Sequence, residues 1–301
     1  MIPPEGALVE VTVRTVQARF LLTPSPELNE IIPGVLGRAQ SRYKVGICGF
    51  VFLSDHYHLL LWVQDAKQLA DFMGYFNSNL AREVARLADW KDKIWARRYQ
   101  AIVISDEEGA QIERLNYLLS HGCKEGLVEH LRDWPGVHCV RHLLDGEPLV
   151  GTWFDRTQEY WARQRREPIA PRQFATEETV TLEPLPCWSH LSADAARQRV
   201  AELVDGIEAK AAAKREETRR PALGAAAICA QLRHHRPARP KKSPAPRFHA
   251  FTRRVRRELY QLYRSFVQAF REAAEKLRGG DRNARFPIGS FPPGLPFVTA
   301  L

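Results

Sequence analysis

The stretch SDHYHLLLW, residues 54–62, sets His56 and His58 around one tyrosine and then runs into apolar residues. Strand side chains alternate, so the two histidines face one way and Tyr57 the other. Neutral imidazole is a common metal ligand, and two at this spacing can share one cation. The chain has 10 histidines in 301 residues, so a His-x-His can equally arise as two structural side chains. The neighbouring elements have to decide.

Just upstream, VGICGFVFL (45–53) reads as a strand, with Ser54 and Asp55 as the turn into the strand YHLLLWV (57–63). Further back, ALVEVTVRTVQARFLL (7–22) reads as a strand, because Val9, Val11, Val13 and Val16 are β-branched and largely alternate with polar residues. ELNEIIPGVLGRAQSRY reads as a helix broken or kinked at Pro33. Downstream, Leu69, Phe72, Met73, Phe76, Leu80, Val84 and Leu87 recur at helical spacing and mark one long helix. A fourth strand is expected at 97–105. Asp106 is then placed to cap a helix with an acidic first turn that Gly122 ends. The order β-α-β-β-α-β-α predicts an α+β fold: a ferredoxin-like antiparallel sheet with helices on one face. The last helix of this core carries Tyr117 and His121 four residues apart, on one face.

Bulk numbers bound the partners. Hydrophobic content of 45% and charged content of 26% are ordinary for a globular protein. No apolar run reaches membrane-spanning length, and the first residues show no signal-peptide pattern, so a cytoplasmic, nucleoid-associated protein with no membrane partner is expected. Five scattered cysteines suit reduced thiols. The net charge of +9 is unevenly spread: residues 1–150 hold 16 Lys+Arg against 19 Asp+Glu, and residues 151–301 hold 28 against 16. Such a basic half suits a polyanion, most often nucleic acid, or else is a solvated surface.

Domain organisation follows the charge. Residues 1–150 form the expected core and 151–190 an irregular connector. Residues 191–301 form a basic, mainly helical region interrupted by a Pro- and Arg-rich linker at 236–247. Its final helix pairs an apolar side (Val255, Leu259, Leu262, Tyr263, Phe266, Phe270, Leu277) with Arg253, Arg254, Arg256, Arg257 and Arg264. The chain closes on the proline-stiffened strip FPIGSFPPGLPFV.

Three pieces in order carry a resemblance: GFVFLSDHYHLLLW, IWARRYQAIVISDEE and LNYLLSHGCKEGLV. They resemble the single-tyrosine HUH transposases, and among them the REP-associated tyrosine transposases, over about residues 7–130. The sequence departs from that family's pattern in the Ser54-Asp55 turn, in His121 where Asn or Gln is usual, and in HGCKEG where Asn-Pro is usual. The resemblance implies an HUH endonuclease core and a metal-dependent single-stranded DNA endonuclease and strand transferase acting at hairpin-associated sites. In that scheme His56 and His58 hold Mg²⁺ or Mn²⁺, with His121 the candidate third ligand, and Tyr117 is the nucleophile that keeps the 5′-phosphate. Three imidazoles suit Mn²⁺ or a later metal better than Mg²⁺. Arg97 and Arg98, and the cluster Arg253, Arg254, Arg256 and Arg257, are candidate DNA contacts.

The bland assignments stand beside these. Tyr117 also fits the edge of a core, His121 a partner of the helix C-terminus, and the arginines solvated surface. His130, His138 and His142 read as surface residues, and Tyr57, Tyr75 and Tyr99 are the competing tyrosines. A domesticated relative that binds DNA or RNA hairpins without cutting is the alternative function. A metal-dependent hydrolase is a third, disfavoured because only Asp55 offers a nearby carboxylate. Monomer and homodimer are both compatible with the sequence.

Overall fold

The computed structural model describes residues 2, 3, 5–170, 172–238 and 246–294. Most of the linker read at 236–247 and the end of the closing proline strip lie outside the described residues. In chain order the first elements are β1 (Ala7–Arg14), α1 (Pro26–Tyr43), β2 (Gly46–Phe52), β3 (His56–Val63), α2 (Ala66–Ala88), β4 (Gln100–Ile104) and α3 (Glu108–Leu119). Then come α4 (Val140–Asp145), β5 (Leu149–Phe154), α5 (Arg156–Gln164), β6 (Ala175–Val180), α6 (Ala193–Thr218), α7 (Ala225–Cys229), β7 (Phe248–His249) and α8 (Arg253–Arg278).

The main sheet has the order β2-β3-β1-β4-β7. Its first four strands are antiparallel in the ferredoxin-like order, and only β7 runs parallel to its neighbour β4. Alternation along β1 puts Val9, Val11 and Val13 on one face and Glu10, Thr12 and Arg14 on the other. Pairing of Thr12 with His58 and of Arg14 with His56 makes the second face the histidine face. Helices α1 and α2 cover the valine face, where the Tyr57 ring packs against Phe76 of α2 at 5.6 Å. The α+β fold and antiparallel sheet are as the sequence implies, but the helices do not all share a face. Helix α3 crosses the histidine face, with Leu115 and Leu118 lying where β2 has only Gly49. Covered on both sides, Leu59, Leu60 and Leu61 of β3 are fully buried.

Several boundaries differ from those the sequence suggests. The strand expected over 7–22 stops at Arg14, and a 3-10 turn at Val16–Ala18 follows, with Gln17 at a φ of 55°. Helix α1 runs unbroken through Pro33, capped by Ser25, whose Oγ accepts from the Leu28 N–H. Helix α3 takes Glu107 rather than Asp106 as its N-cap and ends at Leu119, short of Gly122, leaving His121 in the turn beyond.

The expected irregular connector at 151–190 is instead a folded module. Strands β5 and β6 pair antiparallel and lie across α1. The approach is close enough that a Cβ on Gly34 would sit 2.1 Å from the Thr152 carbonyl carbon, so only glycine fits there. Side chains add to this contact: Arg38 of α1 lies over the Trp153 ring at 4.4 Å and pairs with Glu178, and Val180 is buried in the core. Region 191–301 is likewise not separate from the core in space. Strand β7 extends the sheet through Ser105 N to His249 O at 2.9 Å, and α6 packs on α3 and α4. The other sheet edge, β2, is capped by Cys139 N to Phe50 O and Glu183 N to Ile47 O. Both sheet edges are thus occupied by the chain's own backbone.

Candidate functional site

β3 presents His56 and His58, and α3 crosses above them so that Tyr117 and His121 come down on the same place. The ring centroids of His58 and His121 are 4.4 Å apart, those of His56 and His58 5.2 Å, and those of Tyr117 and His121 5.0 Å. One ligand nitrogen from each of His56, His58 and His121 lies within 4.8 Å of the others. The histidines and the tyrosine expected from sequence are therefore brought together. Tyr57 points away, buried on the opposite face, with its hydroxyl donating to Asn77 Oδ1 at 2.5 Å.

The donor set fits a metal by its second layer of contacts. His56 Nδ1 lies 2.6 Å from Asp55, His58 Nδ1 2.8 Å from Glu10, and His121 Nδ1 3.1 Å from Glu125. A carboxylate on each Nδ1 fixes the tautomer with the proton there and turns Nε2 outward as a lone-pair donor, the usual arrangement behind a ligating histidine. Three imidazoles with carboxylates only behind them suit Mn²⁺ or a later divalent ion better than Mg²⁺. Lys124 Nζ lies 3.1 Å from His121 Nε2. That ammonium must swing away before His121 can ligate.

Glu10, Glu125, Arg114 and Lys124 are the residues the sequence does not single out. The expectation that only Asp55 offers a carboxylate is corrected by two of them. Glu10 is a charged residue in the middle of a strand buried on both faces, which is the available signal. Glu125 follows His121 by four residues across a turn, a spacing with meaning only once that turn is known.

Tyr117 is 39% exposed. Its ring lies between two cations, with Arg114 at 4.3 Å and Lys124 at 3.6 Å from the centroid. Arg114 also pairs with the buried Glu10. Burial would raise the Glu10 carboxyl, but His58 and Arg114 outweigh it and hold it below its ordinary range. Burial pushes the Tyr117 phenol up, with Glu10 acting in the same direction, and brings the Lys124 ammonium down to about 8. It also lowers His58 to about 4 and takes His121 well below the ordinary imidazole value, helped there by His58. At neutral pH these two buried imidazoles are thus uncharged, ready for a cation without first losing protons.

The remaining candidates are placed elsewhere. Arg97 and Arg98 are exposed, and Arg98 stacks over Tyr99 at 5.1 Å. Arg98 lines a cavity of about 630 Å³ beneath α8 with Val9, Tyr99, Val103, Phe248 and Phe270, on the valine side of the sheet. Arg253, Arg256, Arg257 and Arg264 form an exposed stripe on α8, with Tyr260 and Gln261 between them. Arg254 pairs with Glu258. The start of α8 is tied to α3 by Glu107, whose carboxylate accepts from Phe251 and Thr252 N–H. The stripe therefore begins beside the end of α3 remote from Tyr117. His138, read as a surface residue, is buried: its Nδ1 accepts from Val140 N–H, and burial lowers it to about 4. Tyr75 packs on Tyr43, away from the histidines.

Buried neutral histidines make stability depend on pH. Below an ordinary imidazole pKa of about 6.5 the unfolded chain takes up protons that folded His58, His121 and His138 refuse, so stability falls as pH falls from about 6.5 toward about 4. The thermal midpoint of the metal-free protein is expected to drop steadily between about pH 7 and about pH 5. A midpoint that stays flat over that interval would show that these imidazoles protonate freely.

Residues 13–117, which carry His56, His58 and Tyr117, match the family model described as "Transposase IS200 like". The matched stretch runs from the end of β1 to Tyr117. Two solved structures are similar at low identity. One is a REP-associated tyrosine transposase bound to a REP hairpin, at 17% identity and a TM-score of 0.37, covering 47% of this chain and 82% of that one. The other is a candidate transposase from Deinococcus radiodurans R1, at 17% identity and a TM-score of 0.29, covering 36% of this chain and 88% of that one. No curated protein sequence matches the chain. Among the described residues no helix is long and apolar enough to cross a membrane.

Proposed function

We propose that this chain is a metal-dependent DNA nickase and strand transferase that cuts single-stranded DNA at hairpin-associated sites through a 5′-phosphotyrosine intermediate. The observation that carries the reading is the convergence of three carboxylate-backed histidines on a tyrosine held between two cations. A tyrosine in such a place is suited to attack a phosphodiester, because Arg114 and Lys124 supply positive charge where a phosphate would sit. The histidines His56, His58 and His121 would hold a divalent ion, Mn²⁺ rather than Mg²⁺ by their chemistry. When bound, that ion supplies Lewis-acid charge to a non-bridging phosphate oxygen.

The chain's own residues set the rest of the chemistry. The Tyr117 oxygen forms a bond to phosphorus, the bond to the 3′-oxygen breaks, and the proton lost by the phenol leaves with the 3′-hydroxyl. The phosphotyrosine bond keeps the energy of the phosphodiester, so a 3′-hydroxyl can reverse the attack and join strands. Burial and Glu10 raise the phenol above its ordinary value, and the Arg114 guanidinium beside the ring opposes that rise, favouring loss of the phenol proton. Lys124, once swung away from His121, stays within reach of the same phosphate.

Affinity for the DNA backbone is assigned to the basic C-terminal region, chiefly Arg253, Arg254, Arg256 and Arg257, with Arg97 and Arg98 as further contacts. Binding to phosphates releases counterions, so changing the four α8 arginines together to Gln is expected to weaken DNA binding. It should also flatten the salt dependence, the slope falling by about 0.7 to 0.9 for each phosphate no longer engaged. An unchanged salt slope would remove α8 from the DNA path. The functional reading is tested by incubating the protein with hairpin DNA carrying single-stranded flanks, with and without Mn²⁺. A denaturation-resistant protein–DNA adduct that needs the metal supports it, and tight binding without adduct would leave a hairpin-binding protein that no longer cuts.

A further inference from the structure

Two large aromatic side chains take no part in the core. Tyr160 and Trp161 on α5 are 53% and 54% exposed, with ring centroids 5.2 Å apart and planes at 71°. Leaving that much apolar surface in water is unfavourable, and it is not the result of a loose helix. Asp155 caps α5, its Oδ1 accepting from Thr157 N–H and Gln158 N–H at 3.1 and 3.0 Å. Ala162 is fully buried. Arg156 forks onto both oxygens of the buried Glu83 of α2 at 2.6 and 2.7 Å. The aromatic pair is thus held outward on a rigid mount.

The charge around that mount is positive. Glu83 also takes Arg86 of α2 at 3.7 Å, and Arg156 and Arg163 both pair with Glu159. Over α5 and its mount, Arg86, Arg156, Arg163, Arg165 and Arg166 stand against Glu83, Asp155, Glu159 and Glu167, a surplus of one positive charge. Arg165 and Arg166 follow at the end of the helix, the first paired with Glu167. Exposed aromatic rings beside surplus arginine charge are the two elements that single-strand binding uses: rings for bases, guanidinium groups for the backbone.

We propose that α5 is a second nucleic-acid contact, in which Tyr160 and Trp161 stack on unpaired bases and the Arg86–Arg156–Arg163 cluster meets the flanking phosphates. This goes beyond the reading of Tyr117 as nucleophile. Helix α5 belongs to the α1 and α2 side of the molecule, whereas Tyr117 lies on the histidine face. The strand it holds is a single-stranded flank of the hairpin, not the paired stem.

The test uses the full chain and a DNA hairpin with single-stranded flanks in which thymines are replaced by 5-iodouracil. Irradiation is expected to crosslink the flank to the peptide carrying Tyr160 and Trp161. In the double variant Tyr160→Ala/Trp161→Ala the crosslink should vanish and affinity for the flanked hairpin should fall about ten- to hundredfold. Affinity for the same hairpin without flanks, and the thermal midpoint, should be unchanged. The variant Tyr160→Phe/Trp161→Phe, which keeps two stacking rings, should restore most of the binding. Unchanged affinity for the flanked hairpin in the alanine variant overturns the proposal while leaving the nuclease reading intact. A change in sedimentation mass on making the alanine variant, with no change in DNA affinity, would reassign the face to contact between two copies and overturn it equally. Failure of the wild-type chain to bind any of these DNAs would sink both readings together.

Discussion

Replacing His58 by alanine is expected to abolish divalent-metal binding and, with it, metal-dependent formation of a protein–DNA adduct. His58 is the middle member of the cluster, 4.4 Å from His121 and 5.2 Å from His56 between ring centroids. Its removal takes out the central ligand and leaves His56 and His121, whose ring centroids are 5.7 Å apart. The fall in metal affinity should exceed the ~10- to 100-fold that removal of a supporting carboxylate causes. That smaller effect is what Glu10→Gln should show, because Glu10 touches His58 Nδ1 and leaves Nε2 to the ion. His58 is also buried against Glu10, so the alanine variant gives up stability, by ~1–3 kcal/mol for a broken buried hydrogen bond. His56→Ala separates folding from ligation. His56 is more exposed and sits at the end of β3, so its removal should take away metal binding with little change in thermal midpoint. Titration calorimetry with Mn²⁺ on the three variants reads the order directly. Metal affinity that survives in both histidine variants would disprove the shared-ligand site.

Replacing Tyr117 by phenylalanine removes one oxygen from a partly exposed side chain and leaves the ring between Arg114 and Lys124. Stability should stay within about 0.5 kcal/mol of the parent. Binding of hairpin DNA should be nearly unchanged. Adduct formation should fall by a factor on the order of 10³ or more, as removal of a nucleophile does. The competing tyrosines do not replace it. Tyr57 is fully buried on the other face with its hydroxyl engaged by Asn77, and Tyr99 lies under Arg98 on the valine side of the sheet. Residual adduct in the phenylalanine variant would move the nucleophile elsewhere, and a large drop in DNA binding would make Tyr117 a binding residue.

The two effects rest on parts of the site that differ in how openly the sequence displays them. Strand alternation alone puts His56 and His58 on one face, and a four-residue spacing at the end of α3 sets Tyr117 beside His121, so the three histidines and the tyrosine are local patterns. What joins the patterns is the choice of sheet face by α3. The sequence places all helices together, because nothing local distinguishes a helix that covers the valine face from one that covers the histidine face. Gly49, the gap into which Leu115 and Leu118 fit, is the residue that records the difference. Glu10 is long-range in the same way: in sequence it is one polar residue in a strand, and only pairing of β1 with β3 brings it to His58. The β5–β6 module is long-range as well: short strands are legible near its start, but its close approach to α1 at Gly34 and Gly151 joins parts of the chain far apart in sequence. Strand β7, two residues long, is held by the neighbouring β4 and by Glu107 rather than by any strand propensity of its own.

The most direct measurement is the site of covalent attachment. Wild-type protein is incubated with Mn²⁺ and a hairpin DNA carrying single-stranded flanks, denatured and digested with protease and nuclease, and its peptides are weighed. One modified peptide is expected, that carrying Tyr117, heavier by a nucleotide joined through its 5′-phosphate, and none when Mn²⁺ is withheld. A nucleotide on any other side chain, or cleaved DNA with free 5′-phosphate ends and no modified peptide, would contradict the assignment of Tyr117 as the nucleophile of a metal-dependent strand transferase.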